Sequence, residues 1–353
     1  MRYLGIDTAK RISKIGLGTW QFGSSEWGYG DGYAEREAPA IVLRALELGV
    51  TLFDTAEIYG FGSSERILGQ ALDGSLDSVF LTTKMMPVVP FAPVVEQRAV
   101  ASANRLGAQR LDMYQVHQPN PLIHDGTIMR GMRVLQRIGL IDEVGVSNYP
   151  LARWRAAEDA LGSRVLSNQV GYSLVARSPE RDLLPYAESH DRVVIASSPL
   201  AHGLLAGRYR GTGRPVNAAR ATNPFFRPEN LERAEELIAV LREVGDAHSA
   251  TPAQIALAWV IHHPAVTAIP GASSVEQLES NVAAAEIELA DDEYQALQTA
   301  SARYRPLDEP VSLPRRKLTS LKHWGKTLKY WTKTMWHDYR AEHIPSSGVR
   351  NGK

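Results

Sequence analysis

The stretch LFDTAEIYG, Leu52 to Gly60, opens as an apolar, β-rich run and then places Asp54, Glu57 and Tyr59 within six positions. A chain written this way ends a buried strand in an acid and sets a tyrosine into the turn that follows. Seven other runs share the apolar, β-branched character: KIGLGTW (14–20), SVFLTTKM (78–85), DMYQVHQ (112–118), IDEVGVSN (141–148), VLSNQVGYS (165–173), RVVIASSP (192–199) and VTAIPGAS (266–273). With VTLFDTAE (50–57) they make eight. Between them lie segments with apolar residues at three- and four-residue spacing, among them 39–48, 64–72, 93–106, 127–138 and 151–161, which predict helices. Strands joined through helices must run parallel, because a tight hairpin connects only antiparallel ones. Eight such units predict an α/β fold, a closed (β/α)8 TIM barrel. The competing open sheet requires a Gly-x-Gly-x-x-Gly turn directly after a strand, and the dense glycine cluster GYGDG at 28–32 lacks that spacing.

The chain has 353 residues, 44% of them hydrophobic, with zero formal net charge and no cysteine. No apolar run reaches the roughly 18 to 20 residues of a membrane span, and MRYLGIDTAKRISKIG carries no apolar leader region, so the expected location is cytoplasmic. Without cysteine there is no disulfide, thiolate nucleophile or thiolate-bound metal, and any redox activity requires a bound cofactor. The charge is unevenly spread. Residues 302–353 hold 12 Lys and Arg against 4 Asp and Glu, leaving 27 against 35 for residues 1–301. The division expected is a catalytic barrel over 1–301 and a basic tail over 302–353.

In a (β/α)8 barrel the reacting groups sit at the C-terminal ends of the strands. Asp54 and Tyr59 follow the second predicted strand, Lys84 ends the third and His117 the fourth. Singly, each has an ordinary structural account as a cap, a snorkelling lysine, a core histidine or a packed ring. Together they suit proton donation to a carbonyl oxygen: an ammonium near Tyr59 is expected to bring the phenol's pKa down, and Asp54 to keep that ammonium charged. His117 would add a hydrogen bond that orients the oxygen. Nothing in the chain attacks the carbonyl carbon, and hydride from a nicotinamide is the natural candidate.

The segments GLGTWQFG, FDTAEIYG, SERILGQAL, LTTKM, DMYQVHQP, GVSN, NQVGYS, SSPLAHGLLAGRY, TPAQIALAWV and IPGASSVEQLESN resemble, in order and spacing, the aldo-keto reductase family from about residue 3 to residue 300. The pattern is closest to the branch containing bacterial members and potassium-channel β subunits. The resemblance implies a (β/α)8 barrel that binds NADPH, or less often NADH, in extended form, and reduces aldehydes and ketones. It implies Asp54, Tyr59, Lys84 and His117 as catalytic residues, with Tyr59 the proton donor. It also implies Ser147, Asn148 and Gln169 at the nicotinamide carboxamide, with Gly18, Thr19, Trp20 and Asp54 nearby. Ser197, Ser198, Leu200, Gly203 and Leu205 are implied along the pyrophosphate, and Gly271, Ser273, Gln277 and Asn281 towards the adenine end. Two departures stand out. Ser197 occupies a position where many members stack an aromatic ring, and no Lys or Arg occurs in 271–273, where NADPH-preferring members often carry one. Arg208, Arg210, Arg214 and Arg220 are the candidates to replace that charge.

Trp20, Trp27, Tyr29, Met86, Phe91 and Phe225 are expected to line a pocket for a small carbonyl substrate. No metal site or nucleic-acid partner is expected. In the tail, Leu318, Leu321, Trp324, Leu328, Trp331, Met335 and Tyr339 recur at helical spacing with lysines on other faces. This predicts a basic amphipathic helical extension that folds back on the acidic barrel, meets a partner or touches an anionic membrane surface peripherally. A second reading keeps the cofactor but gives up turnover: a regulatory or redox-sensing subunit that binds a partner through the tail.

Overall fold

The computed structural model describes residues 1–23, 31–209, 220 and 223–307. Trp27, Tyr29, Arg210, Arg214 and the predicted tail helix lie outside these residues. Eight strands form one parallel sheet in chain order: β1 Leu17–Gly18, β2 Leu52–Asp54, β3 Phe80–Met85, β4 Leu111–Val116, β5 Ile141–Ser147, β6 Ser167–Gly171, β7 Val193–Ser197 and β8 Val266–Ala268. A parallel bridge between Ile15 and Ala268 joins the last strand to the first, with Gly16 N–H donating to the Ala268 carbonyl and Ala268 N–H to that of Lys14. The sheet thereby closes into the barrel.

All eight predicted strands are present, trimmed at their ends. The first is the shortest, at two residues, and the glycines there pack tightly against their neighbours. A Cβ on Gly16 would lie 2.8 Å from Leu52 Cγ, and one on Gly18 2.8 Å from the Ile269 carbonyl oxygen. Helices α1 Asp31–Glu47, α2 Ser63–Ala71, α3 Ala92–Leu106, α4 Asp125–Arg137 and α5 Leu151–Leu161 cover the first five crossovers. The sequence reading begins the first of these at Pro39, whereas the helix starts eight residues earlier and carries Pro39 in its interior. That proline removes one N–H donor without ending the helix. After α6 Leu183–Ser189 come α7 Pro228–Ala247, α8 Pro252–His262, α9 Val275–Ala283 and α10 Asp291–Arg303. Helix α8 starts on a capping box between Thr251 and Gln254, and every residue from Ile255 to Ile261 is buried, as befits a segment apolar on all sides. No helix among the described residues is long and apolar enough to cross a membrane.

Along each strand alternate residues share a face. One face packs under the helices in the main core, for example Phe53, Leu81, Tyr114 and Val146. The other changes character along the barrel. Near the strand starts it is apolar: Leu52, Phe80, Met113 and Val193 pack with Leu4 and Ile12 of an N-terminal segment whose Tyr3 pairs antiparallel with Ser13. Two residues further on, the same face turns polar, at Asp54, Thr82, Gln115 and then Lys84. Burial at the bottom therefore holds the polar groups in place at the top.

Lys14 is a second buried cation, at the start of the barrel. Its Nζ donates to the carbonyls of Ile261 (3.2 Å), His263 (2.7 Å), Pro264 (2.9 Å) and Val266 (3.1 Å), satisfying the end of α8 and the entry to β8. Burial, and secondarily Arg2, lower its pKa from 10.5 to about 8. Replacing Lys14 with methionine leaves these carbonyls without a donor and should destabilise the fold by about 1–3 kcal/mol in urea unfolding. Between pH 8 and 10.5 the folded chain holds this proton less than the unfolded chain does, so the lysine contributes stability that rises with pH. The gap between wild type and Lys14→Met should therefore widen across that window.

Candidate active site

Asp54 ends β2 opposite Thr82 in the β2–β3 ladder, and Lys84 stands two residues further along β3 on the same face. Lys84 is fully buried and Asp54 nearly so. The Lys84 ammonium donates to Asp54 Oδ1 at 2.5 Å and to the Thr55 carbonyl at 2.7 Å. The other carboxylate oxygen accepts from Gln169 Nε2 at 2.8 Å and Gln115 Nε2 at 3.3 Å. Lys84 Nζ lies 5.2 Å from the centroid of the Tyr59 ring, and the His117 ring stands edge-on to that ring at 5.7 Å. Trp20 lies alongside Tyr59 with ring centroids 6.1 Å apart. The four residues read from the strand ends thus converge on one place.

One electrostatic expectation is reversed. Burial, followed by the nearby Asp54 carboxylate, pushes the Tyr59 pKa well above its ordinary value of 10. Lys84 does not bring it down, because its charge is already matched by Asp54 and the phenolate would be a further buried anion. Burial also lowers the Lys84 pKa from 10.5, with Asp54 opposing that shift by charge and hydrogen bond. Tyr59 is therefore a neutral hydroxyl that keeps its proton well into alkaline solution.

A cleft of about 540 Å³ opens beside this cluster, lined by Asp54, Tyr59 and Gln169. From the β1 end come Gly18, Thr19, Trp20 and Gln21; from the segment after β7 come Ser197, Ser198, Leu200 and Gly203. From the segment after β8 come Gly271, Ser273, Gln277 and Asn281, and Arg208 and Arg220 line the same space. Backbone geometry after β7 is unusual: Ser198 (φ 50°), Ala201 (48°), His202 (57°) and Gly203 (98°) are all left-handed. Non-glycine residues tolerate this at about 1–3 kcal/mol each, and such turns gather main-chain N–H groups into anion-binding concavities. At the far wall Gln21 donates to the Ala272 carbonyl at 2.7 Å, and a Cβ on Gly271 would meet Gln21 Oε1 at 2.8 Å.

Other expected residues sit elsewhere. Ser147 donates to the Gln169 carbonyl at 2.8 Å, and Asn148, left-handed at φ 61°, donates to Ser147 Oγ at 3.0 Å and the His117 carbonyl at 3.3 Å. Both stand beside Gln169, though neither lines the cleft. Leu205 is fully buried in the core, because the 3-10 segment Ala201–Ala206 turns its side chain inward. Of the expected substrate-pocket residues, Trp20 lines the cleft, Met86 is buried, Phe91 is exposed and Phe225 packs partly buried on the core. Sequence reading missed Gln115, Gln21 and His202. Gln115 had a legible signal: a polar residue two before His117 must share its inward face. Gln115 also donates to Thr82 Oγ1 at 2.8 Å and accepts from Ser167 at 3.4 Å, forming a polar floor beneath Asp54.

Residues 14–302 match the model of the Aldo/keto reductase family. An uncharacterized oxidoreductase of Mycobacterium tuberculosis is 56% identical over 307 residues, covering 87% of this chain and 95% of that protein. Methylglyoxal reductase YeaE of Escherichia coli is 34% identical over 291 residues, covering 82% and 91%. Among solved structures, an aldo-keto reductase from Klebsiella pneumoniae in complex with NADPH superposes with a TM-score of 0.69 at 30% identity, covering 87% of this chain and 96% of that one.

The polar floor depends on a glycine. A Cβ at position 145 would lie 2.5 Å from Ser167 Oγ and 2.7 Å from Gln115 Cγ. Gly145→Ala should therefore cost about 1–3 kcal/mol in thermal or urea unfolding. An unchanged midpoint would mean that both side chains move aside freely and that the floor does not brace Asp54.

Proposed function

The chain belongs to the aldo/keto reductase family, and from that premise we propose that it transfers hydride from NADPH, with NADH the lesser alternative, to the carbonyl of an aldehyde or ketone, and runs the reverse oxidation on some alcohols. The observation that carries this reading is the buried Lys84 ammonium, held by Asp54 and set 5.2 Å from the ring of a cleft-lining tyrosine.

Tyr59 is the proton donor. It enters the reaction neutral and releases its proton only as negative charge builds on the carbonyl oxygen, when the phenolate left behind faces the Lys84 ammonium. Asp54 keeps that ammonium charged against the pull of burial. His117, whose ring stands edge-on to that of Tyr59, is assigned to orient the oxygen. When bound, the nicotinamide supplies the hydride that none of these side chains can provide.

The residues present fit such a cofactor. The lining of the cleft includes both Tyr59 and Asn281, and the left-handed run after β7 suits the pyrophosphate of an extended dinucleotide. Gln169, with Nε2 engaged by Asp54, presents an amide oxygen as the acceptor a carboxamide N–H requires. Arg208 and Arg220 supply the positive charge absent from 271–273, and are assigned to the 2′-phosphate. The NADPH-bound neighbour and the relative named methylglyoxal reductase support both the cofactor and an aldehyde substrate.

Nicotinamide absorbance, followed with NADPH and separately NADH against a panel of aldehydes, ketones and keto-sugars, tests the reading. Tyr59→Phe should lose about 10²- to 10⁴-fold in turnover while binding NADPH within about threefold of wild type. Tight cofactor binding with no turnover on any substrate would overturn it in favour of a cofactor-sensing role. Arg208→Ala and Arg220→Ala should each weaken NADPH roughly tenfold or more and NADH far less, measured by fluorescence titration.

A further inference from the structure

The pairing between β2 and β3 continues past the last residue of β2. Thr55 N–H donates to the Thr82 carbonyl at 3.0 Å and Glu57 N–H to the Lys84 carbonyl at 3.2 Å, extending the register of the ladder. The next N–H in line, that of Met86, meets no strand. It is taken instead by the Glu57 side chain, through Oε1 at 2.5 Å. The same carboxylate is held in a two-pronged pair by Arg98 of α3, with Nε donating to Oε2 at 3.0 Å and Nη2 to Oε1. Glu57 is only 7% exposed and does not line the cleft. On the outward face of β3, Thr83 donates to Glu65 at 2.6 Å, and Glu65 accepts from Arg105 at 2.6 Å. The strand end that carries Lys84 is thus gripped on both sides of that residue, at positions 83 and 86, by carboxylates anchored on α3 arginines.

We propose that Glu57 and Arg98 are positioning residues for proton transfer: a splint that fixes the spacing between the segment bearing Asp54 and Tyr59 and the strand end bearing Lys84. Glu57 lies three residues after Asp54 and two before Tyr59, and its side chain binds the residue two beyond Lys84. An apolar pair would hold the same elements together with a smaller desolvation cost, but without direction. The N–H···O and guanidinium–carboxylate bonds fix distance and angle, and misplacement of reacting groups by about 1 Å costs on the order of 10²-fold in rate.

The inference rests on the reductase reading, and the experiment separates the two. Glu57→Gln, Arg98→Met, the double variant and Glu57→Asp are compared with Glu143→Gln, which breaks an equivalent pair with Arg164 in the first half of β5. Each splint variant should lower kcat about 10- to 100-fold with KM and NADPH Kd within about threefold, the double variant should be no worse than either single, and Glu57→Asp should recover part of the loss. Glu143→Gln should keep kcat within about twofold, since a general loss of stability would appear there as well. Unchanged kcat in Glu57→Gln, or a loss confined to KM and Kd, would overturn the splint while leaving the reductase reading intact. If wild type itself shows no turnover, that reading fails, and the splint is judged by amide hydrogen exchange. Faster exchange over residues 84–88 in Glu57→Gln, without change elsewhere, supports it, and unchanged exchange overturns it.

Discussion

An ammonium enclosed at the end of β3 would shed its proton unless a neighbour made the charge worth keeping, and the Asp54 carboxylate is that neighbour. Removing each ion from water costs several kcal/mol, and hydrogen bonds to both members of the pair offset that cost. Lys84 divides its donors between Asp54 and the Thr55 carbonyl, and Asp54 accepts from two glutamines on its other side. The polar floor of Thr82, Gln115 and Ser167, and the missing side chain at Gly145 that makes room for it, follow from this requirement. So does the division of the barrel interior, apolar where the strands begin and polar where they end.

The same pair sets the electrostatics of the tyrosine above it. Because Lys84 is already neutralised by Asp54, Tyr59 keeps its proton in the resting state; in the reaction proposed above, the ammonium becomes useful to it only when that proton leaves. A resting phenol that ionises late makes the stabilisation specific to the charged state of the reaction. Around the cleft the backbone takes over from side chains. The left-handed residues after β7 are strained conformations, and they border the space lined by Arg208 and Arg220.

What could be read from the sequence divides along physical lines. Strand identity was legible because alternation and apolar runs reflect burial on both faces of a parallel sheet, which local sequence records. The convergence of Asp54, Tyr59, Lys84 and His117 was legible because they stand at or just beyond the ends of neighbouring strands, so eight correct strands suffice to bring them together. The sign of the Tyr59 shift was not, since it depends on how Asp54 and Lys84 share charge in three dimensions. Leu205 was misplaced because a segment match does not say which side chains of a 3-10 turn face inward. The partners of Glu57 and Gln115 escaped for another reason: each side chain binds a residue far away in sequence, so that even where alternation marks Gln115 as inward-facing, only the strand registers reveal what it meets. The two-residue first strand was masked by an apolar run that extends beyond it on both sides.

In the proposed reaction the cleft delivers hydride to a carbonyl carbon while Tyr59 protonates its oxygen. The most direct measurement supplies NADPH carrying deuterium at the transferable position of the nicotinamide, with an aldehyde substrate in ordinary water, and locates the label in the product by mass spectrometry and NMR. One deuterium is expected on the carbinol carbon, with none lost to solvent. Product without deuterium at that carbon, or cofactor that returns with its label intact, would contradict it.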